Sequence, residues 1–288
     1  MSTVYRPVET AIAKRPLPAS RCLGVLLVAY GVCFAAPARA QDAGGTHESL
    51  SFFDTFDTFK RSRWNISDGW SNGPGQDCTW SATNAKLTDK SLDLVLDDRR
   101  TSQRAYSCAE VSSRRLYGYG TYEVRLRPPT ASGVITTFFT YTGETDGKGR
   151  PYEQISFEFL NSDASGVLLN VNAGKSGNNL QSVSLPFTYA SASNDYAFQW
   201  LPDRVRWFVN RKLVREVVGT ADKPVPAYAA HIIFSIRNGT GQDDVWLGPF
   251  QYGTKPLVAS IELVAYTKAG AACQFPESIV CTQTRVGN

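Results

Sequence analysis

From residue 51 onward the chain is a succession of short runs in which apolar and polar residues alternate or β-branched residues cluster. Examples are "KLTDKSLDLVLDD", "GTYEVRLRPP", "GVITTFFTYTG", "VLLNVNAG", "DRVRWFVNRKLVREVV", "HIIFSIRNG" and "ASIELVAYT", each bounded by Gly, Asn, Asp or Pro. Strand side chains alternate between faces, so a period of two punctuated by turn residues predicts strands joined by tight turns. No stretch sustains a helical period, although "YASASNDYAFQWLP" fits either element. There is no internal repeat and no low-complexity linker. The expected fold is all-β, two antiparallel sheets packed face to face as a sandwich or jelly roll. It forms one domain over residues 51–288, entered through a small, polar and flexible segment at 41–50.

One run departs from simple alternation. In "YEQISFEFLN" (152–161), Ile155, Phe157 and Phe159 share one face, while Gln154, Ser156 and Glu158 share the other. A strand with three polar residues in a row on one face has that face either in water or at a site of chemistry.

The first forty residues read differently. Arg6, Lys14, Arg15 and Arg21 precede the apolar run "CLGVLLVAYGVCFAA", which is followed by "PARA". A basic segment, an apolar stretch of about fifteen residues and a small-x-small site form the pattern of a secretory leader, cleaved after Ala40. The alternative, an uncleaved anchor, has a run shorter than a full span. The expectation is export, to the periplasm or beyond the cell, with no membrane span after cleavage. This segment holds five of the 30 basic residues and one of the 26 acidic ones, so the remainder carries 25 of each. That balance argues against a nucleic-acid partner. Four cysteines remain, Cys78, Cys108, Cys273 and Cys281, with no Cys-x-x-Cys spacing and only two histidines in the chain. In an exported protein that points to two disulfides rather than metal ligation, and the spacing leaves three pairings open.

Aromatic residues make up 12% of the chain. Phe198, Trp200, Trp207 and Phe208 read as core. Trp70, Tyr141, Tyr152 and Trp246 each lie beside Asn, Thr or Gly. Exposed rings next to amides and hydroxyls suit a sugar, whose rings have apolar faces and polar edges.

The ordered blocks "DGWSNGPGQDCTW", "YGYGTYEVRLRP", "GVITTFFTYTG", "ISFEFL", "YAFQWLPDRVRWFVN", "RNGTG" with "WLG", and "VAYTK" resemble glycoside hydrolase family 16, specifically its lichenase-type bacterial endo-β-glucanases. The resemblance covers nearly all of residues 52–268. It implies a β-jelly-roll whose concave sheet forms a polysaccharide groove, with β-glucan or a related exopolysaccharide as ligand and no cofactor. It also implies that Cys78 pairs with Cys108, which leaves Cys273 and Cys281 to staple a tail beyond the usual family end. Glu262 matches a carboxylate that helps hold a structural calcium in relatives, the only hint of a metal.

In that family the strand corresponding to 153–160 reads D-E-I-D-I-E-F-L: nucleophile, tuning Asp, acid/base. Residues four apart on a strand share a face, with Cα atoms roughly 13 Å apart. Their side chains can lean to the roughly 5–5.5 Å carboxyl separation of a retaining mechanism. Aligned on "EFL", the resemblance places Glu158 at the acid/base position, Ser156 at the Asp and Gln154 at the nucleophile. A carboxamide has nearly the shape of a carboxylate but little nucleophilicity. Glu153 would serve instead only if a β-bulge turned it to the same face. The unbulged register predicts it on the opposite one.

Sugar contacts implied by the same alignment are Trp70, Asn72, Glu110, Tyr141, Tyr152, Asn170, Asn238 and Trp246. Arg237 stands where the family has Trp, Asn172 where an aromatic is common, and Ser112 where Arg accompanies Glu110. Fewer aromatics and an added Arg suit a charged or substituted glycan. Three functions are consistent with these residues. One is an enzyme in which Glu158 acts as general acid and water, Glu153 or another group supplies the second role. The second is a lectin-like polysaccharide-binding protein, whose groove keeps a solvent-facing Glu158. The third is a structural jelly roll.

Overall fold

The computed structural model describes residues 51–160, 162–174 and 177–284. The leader and entry segment, 1–50, lie outside them. Sixteen strands are present among the described residues. In chain order they are β1 (Phe52–Asp54), β2 (Trp64–Ile66), β3 (Cys78–Trp80), β4 (Ala85–Leu87), β5 (Leu92–Leu96), β6 (Tyr106–Ser113), β7 (Gly120–Arg127) and β8 (Val134–Thr142). They continue with β9 (Glu153–Leu160), β10 (Gly166–Ala173), β11 (Gln181–Ser184), β12 (Asn194–Trp200), β13 (Arg204–Val209), β14 (Lys212–Val218), β15 (His231–Asn238) and β16 (Leu257–Lys268). Two short α-helices, α1 (Asp244–Leu247) and α2 (Ile279–Thr284), and two 3₁₀ turns, Ala82–Asn84 and Glu144–Asp146, complete the set. No helix among the described residues is long and apolar enough to cross a membrane. The ambiguous run at 189–202 resolves as a turn followed by β12.

The strands form two eight-stranded sheets. The support sheet has the order β14-β13-β12-β7-β16-β5-β4, with β1 paired to β16. The site sheet has the order β11-β10-β9-β8-β15-β6-β2, with β3 joined in parallel to β6. All other strand pairs are antiparallel, which is the jelly-roll expectation. The run "DRVRWFVNRKLVREVV" is a hairpin: Asn210 and Arg211 both take positive φ (46° and 67°). Two consecutive left-handed residues make the type I′ turn whose twist matches antiparallel strands.

The core lies between the sheets. Ile155, Phe157 and Phe159 of β9 are fully buried, as the alternation requires. Phe138 of the site sheet lies 5.1 Å, centroid to centroid, from Phe198 of the support sheet, and Phe157 lies 5.4 Å from Tyr196. Trp207 Nε1 donates across the core to the Ser156 carbonyl at 3.1 Å, which ties the middle of β9 to the support sheet. Phe208 is buried as expected but on the outer face of the support sheet, where it packs with Ala197 and Ile279 of the tail.

Both disulfides join the pairs expected. Cys78–Cys108 (Cα–Cα 5.7 Å) ties β3 to β6, and Cys273–Cys281 closes the C-terminal tail. The tail is held by Glu123, a buried carboxylate on the outer face of β7. It accepts Ser278 Oγ at 2.6 Å and the Ile279 N–H at 2.9 Å. Phe275 stacks on Phe53 at 4.9 Å.

Candidate active site

The three polar residues of β9 lie on the open face of the site sheet, away from the core. Register extends that face across the neighbouring strands. Gln154 is opposite Tyr141 on β8 and Asn172 on β10, and Ser156 is opposite Phe139 and Asn170. Glu158 begins a rung that runs through Thr137 and Ser235 to Glu110 on β6. Pairing is regular with β8 from Glu153 to Leu160 and with β10 from Glu153 to Glu158, so the strand carries no bulge.

That regularity settles the position of Glu153. It points away from the open face, and its carboxylate accepts the N–H groups of Ala227 and Tyr228 at 2.8 and 2.9 Å. It anchors the 219–230 loop and is not available as a second carboxylate beside Glu158. Glu110 is on the correct face but three strands away. At about 4.8 Å per strand its Cα lies roughly 14 Å from that of Glu158, too far for a nucleophile acting on the same bond.

Glu158 is only 8% exposed, so the expectation of a solvent-facing side chain is corrected: neighbouring strands and their side chains enclose it. Its Oε1 accepts Ser156 Oγ at 2.8 Å and Gln154 Nε2 at 3.4 Å. The Gln154 carbonyl in turn accepts the Tyr152 hydroxyl. Where a retaining site has two carboxylates, the open face of this strand has one, Glu158, receiving two donors. Burial raises the Glu158 pKa, opposed by the Ser156 hydrogen bond and by Arg237. Glu110 is also buried and accepts Ser67 Oγ at 2.7 Å, and burial lifts its carboxyl to about 7.

Around this centre the aromatic and polar residues fall into groups. Trp70 and Tyr152 are 44% and 43% exposed. Tyr152 packs at 5.7 Å from Tyr141, and burial pushes both phenols upward. Trp70 leans edge-on against Trp80, in a loop held by the Trp80 N–H to Trp70 carbonyl bond at 2.8 Å and by the nearby disulfide. Asn72 in the same loop is exposed and its Oδ1 accepts Trp80 Nε1 at 3.5 Å. Arg237 lies over Trp246 of α1 at 6.0 Å and pairs with Asp243 at 3.5 Å. Asn170 reaches the open face beside Ser156.

Asn238 does not reach it. It follows Arg237 on β15, so alternation turns it the other way, and it is fully buried. Several polar residues of the face were not singled out from the sequence: Ser67 beneath Glu110, the Thr137–Ser235 hydroxyl pair (2.7 Å), and His231, whose Nε2 meets Asp146 at 3.1 Å. Strand parity relative to Glu158 would have found Thr137 and Ser235; Ser67 and Asp146 lie in turns and carry no such signal.

Glu262 sits on the support sheet, in a recess of about 420 Å³ also lined by Asp93 and Arg127. It accepts the Ser193 hydroxyl, and Asp93 accepts Ser91. Asp89, Lys90, Ser91, Ser193 and Ser260 also line this recess, so three carboxylates face two cationic side chains there. Among the described residues no cluster of three metal-ligating side chains occurs.

The family described as "Glycosyl hydrolases family 16" matches residues 72–251. The chain is 39% identical over 235 residues to the endo-1,3-1,4-beta-glycanase ExoK of Rhizobium meliloti, covering 82% of this chain and 85% of that protein. It is 38% identical over 233 residues to a beta-glucanase of Bacillus subtilis, covering 81% and 90%. Among solved structures, the Bacillus licheniformis beta-glucanase superposes with a TM-score of 0.70 at 34% identity, over 77% of this chain and all of that one. The laminarinase catalytic domain of Thermotoga maritima shares the fold at 16% identity, with a TM-score of 0.64.

Proposed function

The chain belongs to glycosyl hydrolase family 16, and from that premise we propose that it is an exported protein that holds β-glucan or a related exopolysaccharide along the open face without cleaving it by double displacement. The leader pattern of residues 1–40 supports export.

The observation that carries this reading is the Gln154 amide, which donates to Glu158 at 3.4 Å from the position where a retaining site needs a second carboxylate. Double displacement requires an anionic oxygen to attack the anomeric carbon while the other carboxyl protonates the leaving oxygen. The Gln154 oxygen carries no full negative charge and already accepts from Tyr152. Its nitrogen is a donor only, because the lone pair is delocalised into the carbonyl. Ser156, in place of the tuning Asp, is a second donor to Glu158. These groups can bond to sugar hydroxyls, and the exposed faces of Trp70 and Tyr152 can pack against pyranose rings.

The test incubates the exported full-length product with mixed-linkage β-glucan, laminarin and an acidic exopolysaccharide, following reducing ends and binding together, with Glu158→Gln as control. Binding without new reducing ends is the expected result. A second reading, turnover with Glu158 as acid and water in the other role, draws on the burial that keeps the Glu158 carboxyl a proton donor to higher pH. Reducing-end release abolished by Glu158→Gln would establish that reading and overturn the first.

A further inference from the structure

The rung of the open face that holds Gln154 continues through Tyr141 on β8 to His231, the first residue of β15. Both ring nitrogens of His231 meet oxygen atoms. Nδ1 lies 2.6 Å from the Ser113 carbonyl, which accepts and cannot donate, so Nδ1 carries a hydrogen. Nε2 lies 3.1 Å from Asp146 Oδ1. In the neutral ring with Nδ1 protonated, Nε2 is a bare lone pair, and an ionised Asp146 has nothing to donate to it. The contact is a hydrogen bond only while the two groups hold one further proton between them, as imidazolium with carboxylate or as imidazole with carboxylic acid. The His231 side chain is 27% exposed and that of Asp146 9%, so loss of that proton leaves two acceptors facing each other in partial shelter from water.

Asp146 ends the 3₁₀ turn of the 143–152 segment, which joins β8 to β9 and carries Tyr152. Its other oxygen, Oδ2, accepts the Gly143 N–H at 3.0 Å. Gly143 lies against Tyr141: a Cβ there would stand 2.7 Å from the phenol oxygen. The Tyr141 ring is 5.7 Å from that of Tyr152, whose hydroxyl donates to the Gln154 carbonyl. Contacts therefore run from the His231 ring to the amide beside Glu158. We propose that His231 and Asp146 are positioning residues whose shared proton clasps the 143–152 segment, setting the Tyr141–Tyr152 wall of the open face so that glucan is held more tightly in mildly acidic than in alkaline solution. The clasp goes beyond the reading of the open face as a glucan groove, and its consequence for binding rests on that reading.

The other charged groups on the elements around this ring are engaged elsewhere or face solvent. Arg150 donates to Thr142 Oγ1 and to the Ala229 carbonyl, both at 3.2 Å, and lies over the Tyr228 ring. Glu144 accepts the Gly149 N–H at 3.3 Å, and Glu153 accepts the Ala227 and Tyr228 N–H groups. Arg114, which follows Ser113, donates to the Arg61 carbonyl at 2.6 Å. Arg115, Lys148, Asp222 and Lys223 are exposed. Among the described residues, Asp146 is therefore the carboxylate that pairs with His231, and no second one competes for the ring. Loss of their proton to solvent as pH rises removes the attraction at Nε2 and leaves the segment held by its remaining bonds.

The experiment follows hydrogen exchange across residues 143–152 of the full-length protein at pH 5 and pH 8, expressed as protection relative to an unstructured peptide so that the intrinsic pH dependence of exchange cancels. Protection is expected to be about tenfold lower at pH 8, the scale of one lost charge-assisted hydrogen bond. Asp146→Asn separates a proton-operated clasp from a merely structural contact. The asparagine oxygen can keep the Gly143 N–H while its nitrogen donates to an unprotonated Nε2. This variant suits the neutral ring, so its order should reverse, with protection higher at pH 8. Equal protection at both pH values in the unmodified protein, or an Asp146→Asn segment still better protected at pH 5, would overturn the clasp. Binding of mixed-linkage β-glucan at the same two pH values tests the link to the wall, and it is expected to be about three- to tenfold tighter at pH 5. Burial also raises the Glu158 and Glu110 carboxyls, so the comparison is with His231→Leu, which should abolish most of that difference. A difference that survives His231→Leu in full would overturn the link. Absence of binding at either pH would overturn the groove instead, while the exchange result still judges the clasp.

Discussion

Placing two carboxylates beside Glu158, Gln154→Glu with Ser156→Asp, tests whether the proposed binding groove differs from a catalytic one in charge alone. Gln154 Nε2 and Glu158 Oε1 are 3.4 Å apart, so the head groups already meet over the open face. A carboxylate in place of that amide puts like charges about 4 Å apart. At an effective dielectric constant of about 20 the repulsion is about 4 kcal/mol. Both groups cannot then be ionised at neutral pH, so the pair shares a proton and titrates in two separated steps. Glu158 would hold that proton as general acid while the new carboxylate at position 154 attacks, and repulsion would open the pair toward the roughly 5–5.5 Å of retaining enzymes. The expected outcome is hydrolysis of mixed-linkage β-glucan at least about 10³-fold above the unmodified protein, with a bell-shaped pH profile. Burying added charge should also lower the thermal midpoint. Reducing ends measured across pH 4–9, with glucan binding and circular dichroism as controls, decide it. A double variant that folds and binds glucan but releases nothing at any pH would refute the argument, because the groove would then misplace the sugar itself.

Other consequences concern stability and binding. Ser278→Ala removes one of two donors to the buried Glu123 carboxylate and should cost about 1–3 kcal/mol in urea unfolding; an unchanged midpoint would mean that the tail contributes nothing to the fold. Glu110, raised by burial to about 7, binds its proton more tightly folded than unfolded, so its favourable contribution is complete below about 4.5 and lost as pH rises through about 7. The thermal midpoint should therefore fall between pH 5 and 8, by an amount corresponding to up to about 3 kcal/mol from this group, and Glu110→Gln should flatten the slope. Cys78→Ser with Cys108→Ser opens a crosslink spanning 30 residues and should cost about 3 kcal/mol, read by the same unfolding assay. Trp70→Ala should weaken glucan binding without moving the midpoint, since the ring is 44% exposed.

Alternation carried most of the legible structure. A strict period of two in 152–160 separates Ile155, Phe157 and Phe159 from Gln154, Ser156 and Glu158 without any tertiary information, and the same parity places Asn170 and Arg237 on the open face. It also excludes Asn238, which the family pattern had included; parity was the stronger guide there. What alternation cannot supply is what covers a face. Glu158 is enclosed by neighbours that register brings from β8 and β10, and Glu123 is buried on an outer face because a tail some 155 residues later folds over it. Ser67 lies outside the strands, so its place beneath Glu110 exists only after the chain has closed.

The substitutions on β9 share a direction. Gln for Glu and Ser for Asp keep hydrogen-bonding capacity and remove two negative charges from one face of a strand. Glycosidic cleavage passes through an oxocarbenium-like state, so a catalytic groove spends its charges on positive charge that develops only in the transition state. A ground-state sugar has no such charge; it offers hydroxyl donors, acceptors and apolar ring faces. On the proposed reading, this strand has exchanged complementarity to the transition state for complementarity to the sugar. Ser156 and Gln154 donate, and Glu158 persists as a buried acceptor without a like-charged neighbour on its strand face. On that same reading the exchange also relaxes the site, because two donors to Glu158 stand where the family pattern has two repulsive carboxylates.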